Sequence, residues 1–211
     1  MFRERKVTRK GALRADAKFW SALGEGEILK TVLADFYDRV FEDDRLSPFF
    51  DGVAKEYVAQ KQYGFLRAIL TGKDCYFGAN PRNAHHWMII DDELFDYRET
   101  LLEECLRRHG VAANWIVRIR EIDEVFRKQI VKQEPHALRI GGVTVPLDGL
   151  GRIEVSIAFI CDGCAAPLEI GDEALYSVKT SATYCIACGT EALSSLLPDA
   201  SQPEDATEPS E

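Results

Sequence analysis

The segment N-A-H-H-W-M-I-I-D-D-E-L-F, residues 83–95, places two histidines side by side in apolar surroundings. The whole chain of 211 residues contains only four histidines. A histidine in such a setting is either a core residue whose hydrogen bonds are satisfied or a ligand of a bound group. The segment on its own favours the core interpretation, but the residues upstream of it reverse that preference.

Helical periodicity dominates residues 16–133. Over residues 28–41 the apolar side chains recur as adjacent pairs every four residues, which predicts one face of an α-helix. Glycine and polar clusters separate this helix from its neighbours. The other predicted helices cover residues 16–23, 54–70, 93–109 and 114–133, with a short one carrying residues 85–87. We therefore expect a mainly α domain over residues 16–134.

Four blocks of this region resemble the truncated haemoglobin family, closest to its group I pattern. They occur in the family's order and at fitting intervals, and the resemblance covers residues 19–131. It implies a globin-like helical fold that binds haem b. The blocks are L-A-D-F-Y-D-R-V-F-E-D-D-R-L-S-P-F-F (33–50), K-Q-Y-G-F-L (61–66), L-T-G-K-D-C-Y-F-G (70–78) and A-H-H-W-M-I-I-D-D-E-L-F (84–95).

The resemblance makes His85 the expected proximal ligand of the haem iron, with neutral imidazole as the axial group. His86 is the competing candidate. The family carries an apolar residue three positions after the ligand and an isoleucine five positions after it, and Met88 and Ile90 stand there if His85 is the ligand. With His86 as the ligand, Asp91 would take the second position. We therefore expect His86 to face solvent or a haem propionate.

The resemblance also assigns Tyr37 and Gln62 as the distal polar residues. Because bound dioxygen carries partial negative charge, a phenol O–H and an amide N–H can donate hydrogen bonds to it. Such a bond contributes about 1 to 3 kcal/mol, which would slow dioxygen release by about tenfold or more. Phe50 is expected to pack against the haem face, and Lys61 is either a propionate partner or a solvated lysine. The other expected pocket residues are Phe36, Val58, Phe65, Leu66 and Met88.

Two positions depart from the family pattern. The glycine pair that often precedes the tyrosine-bearing helix is Gly24-Glu25 in this chain. Leu66 stands where several group I members have a bulky aromatic residue that gates a ligand tunnel. We therefore do not expect aromatic gating of such a tunnel here.

The C-terminal part contains two C-x-x-C pairs, Cys161/Cys164 and Cys185/Cys188, separated by twenty residues. Four thiolates in such pairs bind Zn²⁺ in a closed tetrahedral site, which is structural rather than catalytic. Alternation over residues 152–157 predicts strands, and residues 190–197 a short helix. We expect a linker and a treble-clef or zinc-ribbon module over residues 135–197. A redox switch that loses zinc on oxidation and a rubredoxin-like iron site are the alternatives.

Composition excludes several classes of protein. The net charge of −9 argues against a nucleic-acid binder, because phosphate neutralisation supplies most non-specific affinity. No apolar run approaches the roughly 20 residues of a membrane span. No apolar segment follows the basic start, so we expect a cytoplasmic protein. Residues 1–15 are expected to form a flexible arm, and residues 198–211 a disordered acidic tail.

Three functions are compatible with these features. The first is a haem protein that binds dioxygen, nitric oxide or carbon monoxide, either for oxygen transport or for nitric oxide dioxygenation. Because the sequence shows no flavin or nicotinamide motif, an enzyme of this kind would need an external reductase. The second is a haem-based gas or redox sensor that signals through the zinc module to a protein partner. The third is an interaction protein without haem, which the joint presence of His85, Tyr37, Gln62 and Phe50 argues against.

Overall fold

The computed structural model describes residues 13–76, 78–140 and 142–196, without the side chains of residues 193–196. The predicted acidic tail and most of the predicted N-terminal arm lie outside the described residues. In the described part of the chain, no helix combines the length and the apolar character needed to cross a bilayer.

Helices make up the described structure as far as residue 130. Four of the predicted helices, over residues 16–23, 28–41, 54–70 and 93–109, are confirmed with small shifts of their ends. Asp16 and Asp91 cap two of them by accepting from the N–H groups of Phe19 and Leu94. In chain order they are α1 (Ala17–Ala22), α2 (Glu27–Glu42), a 3₁₀ turn (Ser47–Phe50), α3 (Lys55–Thr71), α4 (Pro81–Ala84), α5 (Asp92–Arg108), α6 (Ala113–Glu124) and α7 (Arg127–Ile130).

Helix α2 buries the apolar face that its periodicity predicts. It packs against α3 and α5. Each fully buried Val, Leu or Phe side chain contributes about 1.5 to 3 kcal/mol to stability. This face therefore organises the helical core. Its buried residues are Leu29, Val32, Leu33, Phe36, Tyr37 and Val40.

The turn between α1 and α2 keeps the left-handed backbone although one of its glycines is replaced. Gly24, Glu25 and Gly26 have φ values of 61°, 54° and 96°. A Cβ atom on Gly26 would lie 2.4 Å from the Trp20 ring and 2.6 Å from the Tyr63 hydroxyl. Glycine at this last position is therefore required by both conformation and close packing, whereas Glu25 carries conformational strain.

Two predicted helices differ from the structure. The short helix expected to carry residues 85–87 ends at Ala84, and His85 is its C-cap. The helix expected over residues 114–133 is divided into α6 and α7 at Val125 and Phe126. At this division the N–H groups of both residues bond three positions back rather than four, at 3.2 Å and 2.9 Å. These tighter turns redirect the chain and bring the Phe126 ring to 5.4 Å from the Phe65 ring.

Strands begin at residue 139, in the C-terminal part for which the sequence predicts strands. The main sheet is antiparallel and has the order β3-β6-β7. The strand predicted at residue 152 begins two residues earlier, and the predicted C-terminal helix begins at Ile186. The strands are β1 (Arg139–Ile140), β2 (Val143–Thr144), β3 (Leu150–Glu154), β4 (Phe159–Ile160), β5 (Pro167–Leu168), β6 (Glu173–Ser177) and β7 (Thr183–Cys185), and helix α8 (Ile186–Leu196) follows them.

The C-terminal part has its own small apolar core, built around Val145, Ile153 and Tyr176. Trp87, from the helical part, packs against this second core. The expected fold class, a mainly α region followed by a small region that contains strands, is confirmed.

Candidate functional site

A cavity of about 260 Å³ lies between α2, α3, α5 and α6. This volume lies just below the roughly 300 to 1,000 Å³ that is typical of small-molecule sites. Its wall is mostly apolar, with a few polar side chains. The structure brings together there nine of the ten residues that were predicted to line the haem pocket, and only Leu66 is missing from the cavity wall. The nine are Phe36, Tyr37, Phe50, Val58, Lys61, Gln62, Phe65, His85 and Met88.

His85 lines this site, and one of its ring nitrogens is in the form that binds metals. Its Nδ1 atom lies 2.7 Å from the carbonyl oxygen of Pro81. A carbonyl can only accept, so Nδ1 carries the proton and Nε2 keeps its lone pair. Burial lowers the pKa of His85 to about 4, so the imidazole is neutral at pH 7. This hydrogen bond therefore fixes the tautomer and the orientation that a metal ligand needs.

Tyr37 and Gln62 form a hydrogen-bonded pair across α2 and α3. The Tyr37 hydroxyl donates to Gln62 Oε1 at 2.8 Å. The amide group of Gln62 thereby keeps its N–H donors for other partners. Burial raises the pKa of Tyr37 to about 12, so the phenol stays protonated. The ring of Phe50 meets the Tyr37 ring edge-on at 6.0 Å and restrains it.

A buried charged cluster also lines the cavity, and sequence reasoning missed it. Arg98 Nη1 lies 2.5 Å from Glu99 Oε1 and 3.0 Å from Asp123 Oδ2. The guanidinium group stacks over the Phe36 ring at 4.9 Å. Burial and the nearby Asp123 raise the pKa of Glu99, although Arg98 acts in the opposite direction. The cluster thus adds a cation and two carboxyl groups to an otherwise apolar wall.

One signal in the sequence could have revealed Glu99. It stands on the apolar stripe of α5, four residues after Phe95 and three before Leu102. Its side chain is 1% exposed. A carboxyl group on a buried helical face needs a partner, and this requirement points to a nearby arginine.

Two residues do not lie where they were expected. The expectation that His86 faces solvent or a propionate is wrong, because its side chain is 0% exposed and does not line the cavity. Its Nδ1 lies 2.9 Å from Asn83 O, and Nε2 lies 3.4 Å from Pro146 O. Leu66 is buried in the helical core instead of lining the cavity. Neighbouring positions of a helix point about 100° apart, so Phe65 faces the cavity and Leu66 turns away.

The C-terminal part also contributes to the cavity wall, which the sequence did not predict. Lys179, Thr180 and Ser181 line it and belong to the loop that joins β6 to β7. Tyr57 on α3 lines the cavity beside them.

The four cysteines of the two pairs converge on one point. All four Sγ atoms lie within 4.8 Å of one another, and those of Cys164 and Cys185 are 4.0 Å apart. A tetrahedral zinc site with Zn–S bonds of about 2.3 Å separates its sulfur atoms by roughly 3.8 Å, whereas a disulfide joins them at about 2.05 Å. The spacing therefore fits a shared metal ion and does not fit disulfide bonds.

The folding of the chain around Cys161 favours the thiolate form. Burial by itself raises the pKa of the Cys161 thiol. Hydrogen bonds from the backbone N–H groups of Cys185, Cys164 and Gly163 outweigh this effect and lower the pKa to about 6. The backbone N–H groups of Gly163 and Cys185 lie 3.3 Å and 3.2 Å from Cys161 Sγ. These donors stabilise negative charge on sulfur and prepare the site for a cation.

Local structure explains how the cysteine pairs meet. Cys161 and Cys164 lie in the turn between β4 and β5, Cys185 ends β7, and Cys188 lies in the first turn of α8. A Cβ atom on Gly163 would lie 2.9 Å from Cys188 Cβ, so only glycine fits between the two pairs.

Comparisons with known proteins identify relatives of the helical part. The model of the family described as bacterial-like globin matches residues 18–132. A group 1 truncated haemoglobin from Tetrahymena thermophila is 28% identical over 116 residues, which span 55% of this chain and 96% of that protein. One from Mycolicibacterium paratuberculosis is 31% identical over 103 residues, which span 49% of this chain and 76% of the relative.

Solved structures give the same result for the fold. The crystal structure of truncated haemoglobin from Tetrahymena pyriformis in its Fe(III) form aligns with a TM-score of 0.50 and 27% identity. The alignment covers 54% of this chain and 97% of that one. The family match ends at residue 132, so these similarities concern the helical region and not the four-cysteine region.

Proposed function

This chain belongs to the bacterial-like globin family, and on that premise we propose that its cavity binds haem b with His85 Nε2 as the proximal iron ligand. The family relationship to group 1 truncated haemoglobins implies haem and the binding of diatomic gases. The observation that carries the assignment of the site is the position of His85. It lines the cavity, its Nδ1 proton is held by Pro81 O, and its imidazole is neutral.

The other residues of the cavity fit a haem. The apolar wall suits a flat porphyrin, and Phe50 and Met88 supply the broad contacts that such a ring needs. Among the cations that line the cavity, Lys61 would bind a propionate of the haem. An imidazole donor with aromatic neighbours suits haem iron better than a bare metal ion, which would require additional ligands.

Haem supplies reversible binding of dioxygen, nitric oxide and carbon monoxide when it is reduced. Tyr37 orients Gln62 by donating to its Oε1 atom, and Gln62 would then donate an N–H to the polar end of a diatomic ligand. The surrounding apolar side chains exclude water, which strengthens these hydrogen bonds. We propose dioxygen binding as the basal activity of the protein.

Nitric oxide dioxygenation is the reaction that such a site would carry out if it is an enzyme. It combines one nitric oxide with one dioxygen to give one nitrate, and takes one electron that an external reductase must return. Gln62 and Tyr37 would hold the dioxygen during this step.

We infer further that the four cysteines hold a structural Zn²⁺ ion in a treble-clef arrangement. The sulfur spacing and the order of turn, hairpin and helix support this assignment. A haem-based sensor is the second candidate function, favoured by the loop of this module that lines the cavity. A sensor requires that gas binding change the affinity of the module for its protein partner.

The test is an absorption spectrum of the full chain as isolated, after dithionite and then with carbon monoxide, with iron and zinc counted on the same sample. We expect a Soret band that shifts at both steps, with one haem iron and one zinc per chain. A protein that stays colourless after addition of haemin would overturn the haem assignment, and a chain without zinc would overturn the metal assignment.

A further inference from the structure

The loop between β6 and β7, residues 179–181, is here called the hairpin tip. It lies far outside the region that matches the globin family, which ends at residue 132. All three of its residues nevertheless line the cavity of the helical region. The wall of the candidate haem site is therefore completed by a part of the chain that the family relationship does not describe.

Hydrogen bonds hold the hairpin tip against the helical region. The Tyr57 hydroxyl on α3 donates to Thr180 O at 3.1 Å, and Lys179 Nζ donates to Asp51 O at 3.2 Å. Ser181 has a φ of 55°, which L residues rarely adopt. The Ser177 N–H closes the loop by donating to Ala182 O at 2.8 Å. The tip is thus a shaped turn with defined partners.

The C-terminal part also contacts the backbone around His85. Lys132 Nζ donates to His85 O at 2.6 Å, and the His136 N–H donates to His86 O at 2.9 Å. The Trp87 side chain packs into the second core. Lys132 is the last residue of the globin match, whereas His136 and the second core lie beyond it. Residues beyond the match therefore hold His86 and Trp87, next to the proximal histidine, as well as part of the cavity wall.

The charges of the wall indicate what the hairpin tip binds. Three cationic side chains line the cavity, those of Lys61, Arg98 and Lys179. Arg98 is already paired with Glu99 and Asp123. Throughout the described ranges no carboxylate forms an ion pair with Lys61 or Lys179; their ammonium groups instead contact the Tyr57 ring at 5.0 Å and Asp51 O. The two lysines are thus available to the two carboxylates of a haem.

We propose that the hairpin tip forms part of the haem site and that Lys179 binds a haem propionate. This inference rests on the proposed haem binding. Lys61 and Lys179 come from α3 and from the C-terminal module respectively, so the haem edge would join the two parts of the chain. The module then has a role in retaining haem, in addition to any role with a partner.

The four-cysteine site holds the base of the same hairpin. Cys185 is the last residue of β7, and Tyr176 on β6 pairs with Thr183 on β7. The Thr183 N–H donates to Asp162 Oδ2, within the first cysteine pair. Loss of the metal would release β7 and with it the hairpin tip. We therefore expect haem retention to depend on the metal content of the cysteine site.

The first test compares haemin dissociation from the full chain and from Lys179→Met, with transfer to excess apomyoglobin followed by absorbance. We expect dissociation about three to five times faster for the variant, as for other partly exposed ion pairs. Lys73→Met removes an exposed charge away from the cavity and should leave the rate unchanged. With haemin dimethyl ester, which has no carboxylate, Lys179→Met should accelerate release less than it does with haemin, because only the contact with Asp51 O is then lost.

The second test addresses the docking of the tip without altering charge. Tyr57→Phe removes the hydroxyl that bonds Thr180 O and keeps the ring, so it should also speed haemin loss, by about twofold to fivefold. Removing zinc with a chelator should accelerate haemin loss at least as much. Hydrogen exchange of residues 176–183 in the zinc-free protein should increase at the same time.

The outcomes separate this inference from the proposed function. A wild-type chain that binds no haemin would overturn both. A wild-type chain that binds haemin tightly, with Lys179→Met and Tyr57→Phe at the wild-type rate, would leave haem binding intact and overturn the role of the hairpin tip. An equal effect of Lys179→Met with haemin and with its dimethyl ester would overturn the propionate contact.

Discussion

The Tyr37 hydroxyl donates a 2.8 Å hydrogen bond to Gln62 Oε1, and this single contact decides which donor faces the cavity. The proton of the tyrosine is engaged by the glutamine, so the amide N–H groups of Gln62 remain for a ligand. Burial keeps the phenol protonated by raising its pKa to about 12. Tyr37 thus acts on a ligand partly through Gln62.

Tyr37→Phe should therefore weaken the distal site without emptying it. The ring still packs against Phe50, but Gln62 loses the partner that orients it. We expect dioxygen dissociation about tenfold faster, measured by rapid mixing of the oxygenated protein with carbon monoxide. An unchanged dissociation rate would show that Gln62 is oriented by other contacts.

Replacing each of the adjacent histidines should have different effects. His85→Gly should abolish the axial ligand and shift the Soret band, and added imidazole should restore the wild-type spectrum. His86→Ala should leave the spectrum intact, because His86 does not line the cavity, and should lower the free energy of unfolding by about 1 to 3 kcal/mol, as expected when a buried hydrogen-bonded group is removed. If added imidazole restored the spectrum of the His86 variant and not that of the His85 variant, the assignment of His85 as the iron ligand would be contradicted.

Glu99 should make stability depend on pH. Its pKa in the folded protein is raised by burial and by Asp123 above the ordinary value of 4.5. Its contribution is fully present below pH 4.5, where both states are protonated. As the pH rises above 4.5 the unfolded chain releases its proton first, so the free energy of unfolding falls until the folded carboxyl ionises too.

Glu99→Gln should remove this dependence, since glutamine keeps an oxygen that accepts from Arg98 and cannot ionise. Urea unfolding at several pH values above 4.5 should give a flatter profile for the variant. Glu56→Gln, at an exposed position of α3, should reproduce the slope of the wild type. If Glu99→Gln has that slope as well, Glu99 is ionised in both states.

The first cysteine turn should become more stable with a glycine after Cys164. Ala165 has a φ of 58°, a conformation that costs an L residue about 1 kcal/mol. Ala165→Gly should therefore raise the free energy of unfolding of the zinc-loaded protein by about 1 kcal/mol. Ala166→Gly is the control, because Ala166 is not left-handed and its replacement should destabilise. Equal loss of stability in both variants would refute the strain at Ala165.

Residues of the site differed in how far the sequence could locate them. The period of α2 fixed its buried face, and the spacing of Cys161, Cys164, Cys185 and Cys188 anticipated their convergence. The family resemblance predicted that His85, Tyr37 and Gln62 line one cavity. Local sequence patterns alone could not have predicted this. Whether these residues contact haem stays a prediction that the spectra and variants above will test.

The features that the sequence did not reveal depend on contacts between distant segments. His86 lies under Pro146, and Thr180 lies beside Tyr57, across intervals that no local period encodes. The division between α6 and α7 follows from two tight turns at Val125 and Phe126, in a stretch whose apolar pattern continues without interruption. The apolar pattern of a sequence predicts which face of a helix is buried, but it does not predict which distant residues pack on that face.

The hydrogen bond that His86 O accepts from the His136 N–H has a practical consequence for cloning. A fragment trimmed to the homologous segment would end at residue 132 and lose His136, Pro146 and the second core. His86 and Trp87 would then be open to water, and His86 would be free to compete for the iron. The family match ends at residue 132, but the contacts of His86 and Trp87 extend beyond it, so biochemical work on this globin should begin with the whole chain.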